Sequence, residues 1–354
     1  MSSNDSNPGF DRRTLLAALA ATPALSGIVL PISTPAQAAE GSDPLPSWND
    51  GAAKKAILDF VRVTTDPASK DFVPLAERIA EFDQDGTLWV EHPIYTQVTY
   101  CLEHVPDLVK AKPELKDREP FKAVLSGNGE ALAQLSLRDI FEIVLATQSG
   151  MDVEAFREDV RHWLAEAKHP RWHRPYTDLI YQPMTEVLNF FRANGYRNFI
   201  ATGGSGGFVS EYSEKVYGIP PQQVAGTEQA IKFGYDKDKK PILTQEPKLV
   251  LDNMGAGKIQ NFWLIYGCRP NAAFGNSSSD DQQMLEYVKA GGGARLSVAV
   301  LHDDAVREYA YGPAQGLPNT AVGTFSQEMY DMAKEQGWIV VSMKDDWKRI
   351  FAFQ

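Results

Sequence analysis

Short apolar runs at 78–83, 199–201, 272–274, 296–301 and 338–343 alternate with stretches of helical spacing along the chain. That alternation constrains the fold most, because strands interleaved with helices build a parallel α/β sheet. The helical stretches are the pattern Ala53, Ile57, Phe60, Val61, then Pro183 to Asn194 with Gly195 as its stop, a helix opened by Gly257-Lys258, and one around Ser326 to Gln336. Glu81 is an odd residue for a buried strand. Trp89 to Asn198 spans about 110 residues where a crossover needs about 30, so most of it is an insertion. It reads as helical, with amphipathic patches at Leu137 to Leu145 and Val153 to Ala167. Val224 to Leu251 alternates like a small hairpin around the charged turn Asp236 to Lys240. The expected organisation is an α/β core over 39–88 and 183–354, with a helical segment inserted over 89–182.

Residues 1–38 read as an export signal. Arg12-Arg13 precede the apolar segment Thr14 to Leu30, and Ala36-Gln37-Ala38 supplies a small-residue cleavage pattern, which together resemble a twin-arginine signal. A membrane anchor is the competing reading, but Pro23 and Gly27 interrupt a run that would need about 20 apolar residues to span. The expectation is therefore a periplasmic or secreted protein with no stable membrane insertion after cleavage. A 43% hydrophobic, 23% charged composition describes a globular chain, and the net charge of −11, with no basic run to offset it, argues against a nucleic acid partner. Cys101 and Cys268 can either pair in an oxidising compartment or serve as two small buried hydrophobes.

Three polar motifs fall at expected strand ends, where parallel sheets gather their ligands: Phe82-Asp83-Gln84-Asp85-Gly86-Thr87-Leu88, the run beginning at Thr202, and Gly275-Asn276-Ser277. Two acids one residue apart make sense if one attacks a phosphoryl group and the other handles the leaving group's proton. A hard divalent cation such as Mg²⁺ would reconcile their charges. The Thr202 hydroxyl and the N–H groups of the following glycines, Gly203 first, suit phosphate, and Lys258 suits charge shared by nucleophile and phosphoryl oxygens. Taken singly, each has a blander reading: an Asx turn, loop chemistry, a solvated lysine, and a helix cap for Asp280 or Asp281.

Together, in this order and at these intervals, the motifs resemble those of the haloacid dehalogenase superfamily, in the branch of phosphoserine phosphatase. FDQDGTL looks like its first motif, IATGGS its second, GKIQNF its third and FGNSSSDD its fourth. The resemblance implies a Rossmann-like parallel sheet core with a helical cap inserted after the first motif strand, beside the small β-hairpin insertion read from the alternation of Val224 to Leu251. It implies Asp83 as nucleophile, Asp85 as general acid and base with its carbonyl on Mg²⁺, and Thr202 and Lys258 on the phosphoryl group. Metal ligands would be Asp83, Asp85, Asn276 and Asp280. The fourth motif usually begins Gly-Asp, and here it is Gly275-Asn276, so either Asn276 ligates through its amide oxygen or Asp280 takes over.

The function implied is an exported Mg²⁺-dependent phosphomonoesterase acting on a small phosphorylated metabolite. A phosphotransferase with the same intermediate and a non-catalytic phosphate-binding protein are the alternatives. Glu91 and His92 follow the first motif where a relative can read a cationic group, or they form a polar hinge. Within His169 to Arg174, Arg174 can hold an anionic group, or the cluster decorates a solvated loop. His302-Asp303-Asp304 either approaches the site or starts the next turn.

Overall fold

The computed structural model describes residues 43–354, so the export signal expected over 1–38 lies outside the described residues. Seven strands form one sheet: β1 Ile79–Phe82, β2 Arg197–Ser205, β3 Val224–Tyr235, β4 Pro241–Leu251, β5 Ala272–Gly275, β6 Leu296–Leu301 and β7 Ile339–Ser342. Their order is β4-β3-β2-β1-β5-β6-β7, parallel throughout except for β3 against β4. β1 lies in the middle: the chain runs from it to β2, β3 and β4 on one side, then crosses back to β5, β6 and β7 on the other. This is the topological switch point, where a crevice opens beyond the strand ends.

The period of two explains both layers. Phe82, Ile200, Phe274, Val298 and Val300 point to one face, and Ala201, Ala273, Ala299 and Leu301 to the other. On the first face the rings of Phe82 and Phe274 stack at 4.4 Å, and Phe191 meets both edge-on. On the second, three small alanines let helices approach closely. Glu81 is buried in β1 although its side chain is an acid, because paired strands on both sides hold the segment in the ladder.

Helix α1 covers Ala52–Thr65. Between β1 and β2 run α2 Thr96–Ala111, α3 Phe121–Ser126, α4 Gly129–Ala133, α5 Leu137–Gln148, α6 Val153–Glu166 and α7 Gln182–Ala193. Then come α8 Gly206–Tyr217, α9 Ala256–Tyr266, α10 Gln282–Lys289, α11 Gln327–Glu335 and α12 Met343–Asp346. Among the described residues no helix is long and apolar enough to cross a membrane. The chain enters and leaves the α2–α6 segment side by side: Val90 N–H donates to the Leu179 carbonyl at 3.1 Å, and Tyr181 N–H to the Leu88 carbonyl at 2.9 Å.

One strand expectation changes: β2 does not end at Ala201 but continues through Ser205, since the start of β3 pairs alongside it. The hairpin expected over Val224 to Leu251 is present as antiparallel β3 and β4, and residues 224–227 of β3 also join the parallel sheet. Its turn is closed by the Asp236 carboxylate, which accepts from the N–H groups of Asp238 and Lys240. β4 touches the inserted helices through paired backbone bonds between Gln245 and the 150–151 segment. Cys101 and Cys268 are both free thiols, the first buried and the second half-buried.

Candidate active site

Asp83 stands one residue past β1, its N–H still donating to the Phe274 carbonyl of β5 at 2.9 Å, so the ladder fixes where its side chain leaves the sheet. Lys258, in the first turn of α9, is fully buried at 0% exposure. Its Nζ lies 2.6 Å from Asp83 Oδ1, 2.7 Å from Asp280 Oδ2 and 2.5 Å from Asp281 Oδ1. The three acids each place an oxygen within 4.8 Å of the others. Burial, then the neighbouring Asp281 carboxylate, hold the Asp83 carboxyl well above the ordinary range. Three carboxyl groups against one ammonium leave a formal excess of two negative charges when all are ionised, and all the donors are hard oxygens. A divalent cation fits that charge and that chemistry.

The fourth-motif loop is built around Asp281. Sequence left open that Asp280 or Asp281 merely caps a helix, yet neither side chain caps α10. Asp281 Oδ2 instead accepts from the N–H groups of Asn276 and Ser277, both at 2.9 Å, while Oδ1 meets Lys258. Asn276 donates from Nδ2 to Glu91 Oε1 at 2.6 Å, and Thr87 donates to its Oδ1 at 3.4 Å. Gly86, with φ +78°, must be glycine: a Cβ there would lie 2.2 Å from Asn276 Nδ2 and 2.4 Å from Glu91 Oε1.

Asp85 accepts from Trp89 Nε1 at 2.6 Å, and burial pushes its carboxyl up to about 6. Thr202 is buried, and its Oγ1 accepts from Gly204 N–H at 3.0 Å, which leaves the hydroxyl proton for a ligand. Gly203 lies beside it on the same cavity wall. The cavity, about 180 Å³, is lined by Asp83, Asp85, Glu91, Thr202, Gly203, Asn276 and Asp280 together with side chains from α2, α5 and β4.

The outer candidates divide. Glu91 lines the cavity, held by Asn276 and by Tyr311 Oη at 2.7 Å, and burial raises its carboxyl well above the ordinary range. His92 does not line it: the ring lies tilted against Tyr311 with centroids 3.8 Å apart, Nε2 donates to the Val322 carbonyl, and burial lowers its pKa to about 4. Arg174 does not reach it either. Its side chain is 47% exposed, with the guanidinium 4.3 Å over the Phe353 ring and 3.7 Å from Asp178. His302 approaches the first motif, its Nε2 donating to the Gly86 carbonyl at 2.7 Å, whereas Asp303 accepts from the Ser342 hydroxyl and the Lys344 N–H at the end of β7, and Asp304 accepts from the Arg307 N–H within its own loop.

Tyr311, Gln97 and Asn253 escape sequence reasoning. Gln97 Oε1 on α2 accepts from Ser205 N–H at 2.8 Å, joining the inserted helices to the second motif. Asn253 donates to the carbonyls of Thr202 and Ala225 and accepts from Asn261, tying β2, β3 and α9 together behind the site. No motif marks these positions, since each reaches a strand or loop far away in the chain.

No family model matches the chain, and no curated protein does. Solved structures do. A conserved protein of unknown function from Anaerococcus prevotii DSM 20548 is 14% identical, with a TM-score of 0.47 over 71% of this chain and 86% of that one. A protein of unknown function from Bordetella pertussis Tohama I is 15% identical, with a TM-score of 0.45 over 75% and 98%. A phosphoserine phosphohydrolase-like protein from Francisella tularensis subsp. tularensis SCHU S4 is 17% identical, with a TM-score of 0.36 over 64% and 88%. With its four motifs in order and gathered at the switch point of a mostly parallel sheet, the chain resembles the phosphatases of the haloacid dehalogenase superfamily, in the branch of phosphoserine phosphatase.

Proposed function

We propose that the protein is a Mg²⁺-dependent phosphomonoesterase that works through an aspartyl-phosphate on Asp83. The observation that carries this reading is the fully buried contact of Lys258 with Asp83 at the switch point, 2.6 Å long, with Thr202 on the neighbouring strand. Lys258 holds Asp83 in place and offsets charge as an Asp83 oxygen bonds to phosphorus and the ester P–O bond breaks. Thr202 and the Gly203 backbone bind the phosphoryl oxygens. Asp85, whose pKa near 6 lets it hold a proton close to neutrality, gives that proton to the departing alkoxide. It then takes one from the water that attacks phosphorus, which returns Asp83 as a carboxylate and releases inorganic phosphate. Asp83, Asp280, the Asp85 carbonyl and the Asn276 amide oxygen would hold Mg²⁺, which supplies neutralisation of charge on the transferring group.

The α2–α6 segment would serve as a lid that excludes water, supported by its side-by-side entry and exit and its share of the cavity wall. Export as a folded protein through the twin-arginine route is supported by Arg12-Arg13 and the cleavage pattern at Ala36-Gln37-Ala38.

The test is a panel of phosphomonoesters with and without Mg²⁺, read with trapping of an acid-stable phosphoenzyme. Turnover should need the metal, and Asp83→Asn should lose both turnover and phosphoenzyme. Full activity in excess chelator would overturn the metal's part, and phosphoenzyme formation by Asp83→Asn would overturn the nucleophile.

A further inference from the structure

The acidic site opens into a chamber of a different character. Beyond the motif residues its wall is made by Ile140, Phe141, Val144 and Leu145 of α5, Leu249 of β4, and Met254. Helix α5 is apolar on two sides. Ile143 is fully buried in the core shared with α2, which spends one face, while Ile140, Phe141, Val144 and Leu145 stay half-buried and face the chamber. Leu137, 64% exposed, continues that stripe to the mouth. An amphipathic surface helix would be polar there.

Apart from the acids, the polar side chains that line the cavity are neutral, amides and hydroxyls. Gln97 Nε2 and Gln229 Oε1 are buried without a partner, one a donor and the other an acceptor. Neither lysine, arginine nor histidine lines the cavity among the described residues, and the nearest ammonium, on Lys258, already meets three carboxylates. Five acids do line it, Asp83, Asp85, Glu91, Asp280 and Asp281. A carboxylate on the body of a substrate would lose its water here and gain no counter-ion, a strongly unfavourable exchange. An apolar body would cover side chains otherwise in contact with water.

We infer that the site takes phosphomonoesters of a neutral, apolar alcohol, an aryl or medium-length alkyl group, and rejects those carrying a second anion. This rests on the phosphatase reading above and names its substrate class.

The experiment measures kcat/KM for n-alkyl phosphates from ethyl to hexyl, whose leaving alcohols are nearly equal in acidity, beside benzyl phosphate, O-phosphoserine and phosphoglycolate. The alkyl series should rise by up to about fourfold per methylene, the equivalent of about 0.8 kcal/mol, and level off once the chamber is full. The two carboxylate-bearing esters should fall roughly a hundredfold or more below hexyl phosphate. Ile140→Arg should lower hexyl phosphate turnover and raise that of O-phosphoserine. Leu137→Arg, at an exposed position that folding does not depend on, should move both the same way by a smaller factor. Calorimetric binding of the matching n-alkylphosphonates separates the two readings. Turnover of esters with a flat chain-length series, or with a preference for the carboxylate-bearing esters, overturns this inference and leaves the activity standing. Phosphonate affinity that climbs with chain length, in a protein that cleaves no ester, overturns the activity and leaves the apolar chamber standing. Neither turnover nor binding removes both.

Discussion

Glu81 shows how a single residue can oppose the fold that buries it. Both its carboxyl oxygens lie in the interior without a partner, on the sheet face shared with Phe199 and Ala273. Burial pushes its pKa up from 4.5 to about 8. For an acid raised on folding, stability is fullest while both states keep the proton and falls once the unfolded chain alone has released it. The fall runs from about pH 4.5 to about pH 8 at about 1.4 kcal/mol per unit, and stops above that. Glu81→Gln should remove this contribution while the other acids titrate as before. Urea unfolding at pH 5.5 and 8.5 should therefore show wild type losing about 3 kcal/mol more than the variant across the interval. Equal losses would mean that Glu81 ionises inside the fold at no cost. The residue that weakens the strand reading of 78–83 is thus a local cost, overridden because β1 has paired neighbours on both sides.

At the scale of elements, the site is a meeting of two strand-end loops, the turn after β1 and the loop after β5, and Asn276 is where they join. From sequence, Asn276 is a place where an acid is missing. In the structure it is a donor, with Nδ2 2.6 Å from Glu91 Oε1, and Asn276→Asp would set two carboxyl groups against each other in a buried contact. That substitution should cost roughly 2–3 kcal/mol of stability near pH 7.5, from burying a second acid where a neutral donor stood. Adding Glu91→Gln should recover most of it, since the new amide can donate where Asn276 did, giving a coupling energy of about 0.5–3 kcal/mol. Unfolding free energies of the four proteins complete the cycle, and simple additivity would show that the two loops are joined elsewhere. The pair also marks the limit of what was legible. Asp83, Thr202, Lys258 and Asp280 announced themselves because each sits within a few residues of a strand end or helix start, and such punctuation is local. Glu91 was visible only as a polar residue after a motif, and Tyr311, Gln97 and Asn253 not at all, because their partners lie far away in sequence. Strand alternation revealed the sheet for the same local reason. It misplaced the end of β2, because a pairing partner, the start of β3, decides it.

Across the whole molecule, the buried acids couple the site to the stability of the fold. Asp83, Asp280 and Asp281 are held around one ammonium, so the folded state carries repulsion that the unfolded chain, with its carboxylates in water, does not. A cation that binds only the folded state adds about 2.7 kcal/mol at a hundred times its dissociation constant. Thermal unfolding in excess Mg²⁺ should then lie about 5 °C or more above that in chelator. Asp280→Asn makes the argument sharper, because it removes one charge and keeps an acceptor for the Gly255 N–H that Asp280 Oδ1 now takes at 3.0 Å. In chelator this variant should unfold at a higher temperature than wild type, since the repulsion is relieved. In Mg²⁺ the order should reverse, since a ligand has gone. A structural ion-pair cluster would give the opposite pattern: no response to Mg²⁺ in either protein, and a variant weakened under both conditions by the loss of its contact with Lys258. The crossing of the two melting temperatures thus decides whether these acids are there to hold Lys258 or to share it with a metal.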